Sequence, residues 1–228
     1  MNKWPSLPLA SAVQCSKRFV QIDDLEQYKR CRVQLHAQGI VLRDAVLGAE
    51  IKTKKQQVCK AGDFLVAEID AKVGGFGIVP EELDQAIVSS HYFLFEVNEK
   101  VLNRRFLDFF IRTPAFREQV AAQGSTNYAA IRPTDVLGYK LPLPPLAEQR
   151  RIVARIESLS AKIEEARFLR IQAAEEAEML MASEERRVWP DSSLSKARTL
   201  ESVTAYLARG RQSEQGESGH FLIKTQHV

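Results

Sequence analysis

The stretch Leu141-Pro142-Leu143-Pro144-Pro145-Leu146-Ala147-Glu148-Gln149-Arg150-Arg151-Ile152 divides the chain into two parts of different kind. Its prolines hold the backbone extended, because the ring fixes φ and also restricts the preceding residue. Pro145 suits a first helical turn, where its missing N–H goes unused, and Glu148 sits where a carboxylate complements the positive end of a helix. The stretch reads as a strand exit that passes directly into a helix.

Downstream, residues 146–188 contain neither Gly nor Pro. Ile152, Ile156, Leu159, Ile163, Ala166, Ala173, Ala177 and Leu180 recur at steps of four and three, the seam of a coiled coil, with Arg170 at one seam position. A helix over this span is about 65 Å long at about 1.5 Å per residue, more than a compact domain of this size needs. These eight residues are the expected helix-pairing surface. The second half, Ala173 to Ala182, offers little side-chain area to a lone two-stranded coil, so a docking surface for another subunit is an equal reading. The exit is expected at Trp189-Pro190.

Upstream, residues 1–145 have mixed character. Strands are expected at Ile40–Leu42, Phe64–Ile69, Ile78–Val79, Ala86–Val88 and Tyr92–Val97, where β-branched and aromatic residues stand between Gly, Asp, Pro or Asn. Helices are expected over Leu102–Ile111 and Pro114–Gln123, the second opening on Pro and stopping before Gly124. The fold class is therefore α+β: a globular domain with a mixed, twisted sheet and short helices, followed by one long coiled-coil-type helix.

A chain of 228 residues with 45% apolar residues builds a real core. The net charge of +3 permits a nucleic-acid partner without requiring one. Cys15, Cys31 and Cys59 lack metal-ligand spacing and read as reduced thiols, and no run reaches a membrane span. The expectation is a cytoplasmic protein with no metal and no membrane contact.

After the long helix the sequence echoes its own beginning. Trp4-Pro5 returns as Trp189-Pro190, Leu9-Ala10-Ser11 as Leu200-Glu201-Ser202, and Tyr28–Val33 as His220–Thr225. Residues 189–228 are too few for a core of their own. They read as the partly flexible start of a second unit of domain plus helix.

The segments Lys60-Ala61-Gly62-Asp63-Phe64-Leu65-Val66, Ile69–Pro80 and Ala86–Ser89 resemble the middle of a target recognition domain. Gly124-Ser125-Thr126, Ile131-Arg132-Pro133 through Leu137, and above all the Leu141–Ile152 junction resemble its end. Together they resemble the DNA-specificity (S, HsdS) subunit of type I restriction–modification systems. The resemblance implies two recognition domains per subunit, each reading half of a split site in double-stranded DNA, held apart by two antiparallel helices. It also implies a methyltransferase (modification) subunit docked alongside, which brings S-adenosylmethionine and the methylating site, and a restriction subunit in the larger complex. This chain has one complete domain and one complete helix, so pairing with a second copy would restore the two-part arrangement. The subunit itself is expected to be non-catalytic and to hold no cofactor.

Candidate DNA contacts are the cations and polar groups on expected loops: Arg43, Lys52, Lys54, Lys55, Lys72, Arg104 and Arg105, with Ser125, Asn127, Tyr128 and Arg132. Arg, Lys and amide side chains suit base edges, and clustered cations suit phosphates. A solvated charged face is the plain alternative. Gly74-Gly75-Phe76-Gly77 reads as a tight turn between strands rather than a phosphate cradle, since no Gly-Lys-Ser/Thr follows. Asp63 and Asp70 faintly resemble a Mg²⁺ nuclease pair with Lys72, but seven residues apart on one expected strand they face opposite ways. The competing classes are thus a coiled-coil scaffold with a protein-binding head and, more remotely, a Mg²⁺ nuclease.

Overall fold

Every residue of Phe64-Leu65-Val66-Ala67 is buried, so this strand must be covered on both faces. The computed structural model, which describes residues 4–121 and 130–188, shows how. The strands are β1 (Ser6–Pro8), β2 (Val13–Ser16), β3 (Phe19–Gln21), β4 (Gln27–Gln34), β5 (Gly39–Leu47), β6 (Lys55–Val58), β7 (Phe64–Ala67), β8 (Phe76–Ile78), β9 (Ile87–Val88), β10 (Tyr92–Val97) and β11 (Lys140–Pro142). The helices are α1 (Arg104–Ile111), α2 (Pro114–Ala121), α3 (Pro133–Gly138) and α4 (Leu146–Val188). An antiparallel four-stranded sheet has the order β2-β10-β7-β8, and a mixed five-stranded sheet the order β3-β6-β9-β4-β5, with β4 and β9 parallel. The α+β class holds, with the expected mixed sheet realised as one of two main sheets.

Strand alternation sorts the core into two layers. Phe64 and Val66 of β7, with Phe95 and Val97 of β10, face the short helices and meet Leu107, Ile111, Phe116 and Val136. Leu65, Ala67 and Leu94 point the other way, onto Cys31, Val33, Ile40, Cys59 and Val88 of the second sheet. Phe116 centres the helical layer. Its ring lies edge-on to Phe64, Phe76, Phe110 and Tyr139 at centroid distances of 5.2 to 6.3 Å, the range favoured by aromatic quadrupoles.

The expected elements recur with shifted ends. The first helix starts at Arg104 because the Asn103 side chain accepts from the Phe106 N–H at 3.0 Å, leaving buried Leu102 ahead of the cap. β7 stops at Ala67, and Ile69 is 70% exposed in the following turn. Asp63 and Asp70 therefore lie on either side of the strand, not along it. Gly74 closes that turn at φ +82°, and Gly75 has the Asp70 backbone so near that a side chain would collide. This is the tight turn expected of the glycine run.

The junction is tied from both directions. β1 pairs antiparallel with β11, matching Leu7 to Leu141, and the Leu143 N–H donates to the Pro5 carbonyl at 3.0 Å. α4 then opens at Leu146, with the Glu148 and Gln149 N–H groups donating to the Pro145 carbonyl. Gln149 is fully buried. Its Nε2 donates to the carbonyls of Val101 and Pro144, each at 2.8 Å, and its Oε1 accepts from the Asn103 N–H at 2.8 Å. Val153, one turn on, joins the helical core layer, and Ile152 packs against it. The compact unit containing the sheets ends at Ile163, and the described residues from Glu164 onward, all helical, form a second unit by themselves.

Replacing Gln149 with Leu strands two buried carbonyls and one N–H. The expected cost is about 2–4 kcal/mol, read as a lower urea midpoint with an unchanged slope.

Candidate nucleic-acid interface

Arg43 owes its position to a fault in the β4–β5 ladder. Arg30 pairs with Asp44, but the next residue, Cys31, pairs with Leu42. Arg43 is the extra residue of a β-bulge, a device that re-aims a side chain and breaks the alternation of the strand. The shift changes what each face of β5 carries: Val46 and Ile40, six residues apart on one strand, face different cores. Tyr28 and Val46 pack on the small cluster of Ile22, Ile51 and Ile87, whereas Cys31 and Val33 enter the core between the sheets.

Beside the bulge lies a groove of about 360 Å³. Arg30, Arg32, Arg43 and Lys52 line it, against Glu50 as the one carboxylate in its wall. Thr53, Gln56, Ser89 and Tyr92 add polar groups, and Cys31 and Ile87 lie in its buried part. Arg30 is oriented by Asp44: its Nε and Nη2 both donate, at 2.7 Å each. The same guanidinium holds the Asp44 carboxyl below the usual carboxylate range. Arg43 is only loosely drawn to Asp44, at 3.6 Å, and remains 58% exposed. Arg32 and Lys52 are exposed and form no ion pair among the described residues. A concave surface with converging cations, hydroxyls and an amide suits a phosphate backbone with base edges beside it.

The other sequence candidates are dispersed. Lys54 is engaged by the Asp24 carboxylate and by the Gly48 carbonyl at 2.7 Å, so it ties two connections together. Lys55 lies 4.6 Å over the Phe19 ring. Lys72 sits in the 3-10 turn Ala71–Val73. Arg104 pairs with Glu99, and its guanidinium lies so close over Gly62 that a side chain there would collide. Arg105 pairs with Glu157 of α4 at 3.0 Å and with Asp108 at 3.1 Å. With Arg112 these two line a second groove, of about 500 Å³, where Glu81, Glu82 and Asp108 balance them. Arg132 is exposed immediately before α3. Ser125, Asn127 and Tyr128 fall outside the described residues.

Arg30, Arg32, Gln56 and Tyr92 were absent from the sequence candidates. The signal for the first two was available: Tyr28-Lys29-Arg30-Cys31-Arg32-Val33 mixes apolar and basic positions as a half-buried strand does. Asp63 is no free metal ligand. Its buried carboxylate accepts from Arg18 and from the Lys60 N–H at 2.8 Å. Of the eight seam residues, Ile152 is occupied with the core of its own unit. Leu159, Ile163 and Leu180 are 43%, 52% and 65% exposed, and Ala166, Ala173 and Ala177 are exposed as well. No helix among the described residues is long and apolar enough to cross a membrane.

The family described as type I restriction modification DNA specificity domain matches residues 19–173, which span the groove, both main sheets except β2, and the first part of α4. The chain belongs to this family. The specificity subunit of the type I restriction enzyme HindI from Haemophilus influenzae is 27% identical over 135 residues, 55% of this chain and 29% of that subunit. The HsdS subunit from Thermoanaerobacter tengcongensis superimposes with a TM-score of 0.66 at 26% identity, covering 82% of this chain and 49% of that one. A chain from a structure describing complex assembly and conformational transition of the type I R-M system gives a TM-score of 0.60 at 26% identity, with 82% and 50% covered. The chain thus spans half or less of the length of these relatives.

Lys52 and Lys54 are two residues apart but differ in engagement. Lys54→Glu is expected to lower stability by about 1–2 kcal/mol, and Lys52→Glu to stay within about 0.5 kcal/mol of the parent, both measured by urea unfolding.

Proposed function

We propose that this specificity-family chain reads one half of a split double-stranded DNA site on behalf of a type I methyltransferase. Residues 1–145 are the target recognition domain. Residues 146–188 are the spacer, the docking surface for the modification subunit, and the seam through which two copies pair. Residues 189–228, beyond the described part, begin a second recognition domain. The chain is non-enzymatic and cytoplasmic. S-adenosylmethionine and the methylating site belong to the modification subunit, and the restriction subunit joins the larger complex.

The observation that carries this reading is the groove itself. Four cations converge within the family match, two of them, Arg32 and Lys52, outside every ion pair among the described residues. Ion pairs absorb Arg104 and Arg105, whereas Asp44 and Glu50 leave this groove with net positive charge for phosphates. The seam reading is supported by the exposure of Leu159, Ile163 and Leu180 along one helical stripe. Apolar side chains at such spacing gain by burial against a partner.

The test is binding of a randomised duplex library by the purified chain, with and without its methyltransferase subunit, across a salt series. Selective binding that weakens steeply with salt is expected. Arg43→Glu and Lys52→Glu should each weaken binding by roughly tenfold, and Lys52→Glu should lower the salt slope by about one. Ile163→Glu should lower the mass in solution from paired to single chains, measured by sedimentation. Absence of selective binding even with the partner would leave the protein-binding scaffold as the better reading, and cleavage of plasmid by the pure chain with Mg²⁺ would overturn the non-enzymatic one.

A further inference from the structure

Two of the three cysteines touch. The sulfurs of Cys31, on β4, and Cys59, just after β6, are 3.8 Å apart. Cys59 is fully buried, whereas Cys31, 5% exposed, also lines the basic groove and has Arg30 and Arg32 as its chain neighbours. Cys31 therefore belongs both to the core between the sheets and to the wall of the groove. No other cysteine shares this setting, since Cys15 lies on β2 in the other sheet.

We propose that Cys31 and Cys59 are an oxidisable dithiol, closed to a disulfide by hydrogen peroxide entering through the groove, and that closure resets the cations beside it. The chemistry balances within the pair. The Cys31 sulfur attacks one peroxide oxygen, the O–O bond breaks, and the second oxygen leaves as water, with Cys31 held as a sulfenic acid. The Cys59 sulfur then attacks Cys31, the S–O bond breaks, and the hydroxyl leaves as a second water with the remaining thiol proton. Two thiols lose two electrons and one peroxide gains them. Cys31 is the attacking group because it lines the open cavity, and Cys59 is the resolving group because it lies behind it. Contact with Cys59 draws the Cys31 thiol down from its ordinary range, and contact with Cys31 together with burial pushes Cys59 up, the direction that suits Cys31 as the attacking group.

A disulfide needs its sulfurs about 2.05 Å apart, so closure draws them together by roughly 1.8 Å. Cys31 adjoins the bulge that sets Arg30 and Arg43, and the next residue is Arg32. Movement at Cys31 is passed to three of the four groove cations through the strand that carries two of them. The expected consequence is weaker DNA binding by the oxidised chain. That consequence rests on the proposed DNA-reading function, whereas the disulfide itself does not.

The experiment treats the full chain with hydrogen peroxide, counts free thiols, maps cross-linked peptides by mass spectrometry, and compares DNA affinity before and after dithiothreitol. Loss of two of three thiols with a Cys31–Cys59 linked peptide is expected, in the parent and in Cys15→Ser alike. A severalfold fall in affinity, restored by dithiothreitol, is expected alongside it. Three surviving thiols, or oxidation confined to Cys15, overturns the proposal, and the parent chain alone decides this if Cys31→Ser or Cys59→Ser fails to fold. A disulfide with unchanged affinity overturns the coupling to the groove. A disulfide in a chain that binds no DNA in either state, even with the methyltransferase subunit present, supports the dithiol and removes the DNA-reading function instead.

Discussion

A single buried amide decides where the long helix can start. Gln149 has no access to water, so its three hydrogen-bonding contacts must be met by protein. They are met by three backbone groups, at Val101, Asn103 and Pro144. Asn103 is itself the cap of the first short helix, so the entrance of α4 and the start of α1 are fixed by the same few atoms. A slip of one residue along the helix would turn Gln149 by about 100° and abandon all three bonds. Burial of Val153 adds apolar area to the same face, but it is the amide that specifies register.

The second constraint is the double-faced β7–β10 pair. With both faces covered, every side chain on β7 has a packing role and none is available for a ligand. The outer sheet is different, since its long strands β4 and β5 are only partly buried. Variable polar chemistry can be placed on it without disturbing the inner sheet. The bulge at Arg43 uses this latitude: the apolar residues Cys31 and Val33 still reach the core, while Arg30, Arg32 and Arg43 come to one groove.

Legibility in the sequence follows the same division. The long helix was readable because no Gly or Pro interrupts 43 residues and its apolar steps are regular. β7 and β10 were readable because they are nearly continuous apolar runs. β4 escaped because Lys29, Arg30 and Arg32 dilute its apolar residues, and those that remain face opposite sides, Tyr28 on one and Cys31 and Val33 on the other. β3 and β6 are short and rich in Gln, and only pairing across the sheet makes them strands. The candidate site was half legible for a related reason. Sequence shows that Arg43, Lys52, Lys54 and Lys55 are cations, but not that Asp24 engages Lys54 or that Phe19 lies beneath Lys55. Those partners are thirty or more residues away in the chain.

Charge engagement therefore discriminates better than charge itself. Arg105, tied to Glu157 and Asp108, helps hold α1 to the first part of α4, and an arginine so placed loses structure before it loses a ligand. Arg30 is intermediate: Asp44 fixes its guanidinium by two hydrogen bonds yet leaves it in the groove wall. An oriented arginine presents its remaining N–H groups in a defined plane, which is what reading a base edge demands, whereas Arg32 and Lys52, less constrained, suit the looser geometry of phosphates. The groove thus combines one positioned fork with charge unpaired among the described residues, and the bulge adds Arg43 to them.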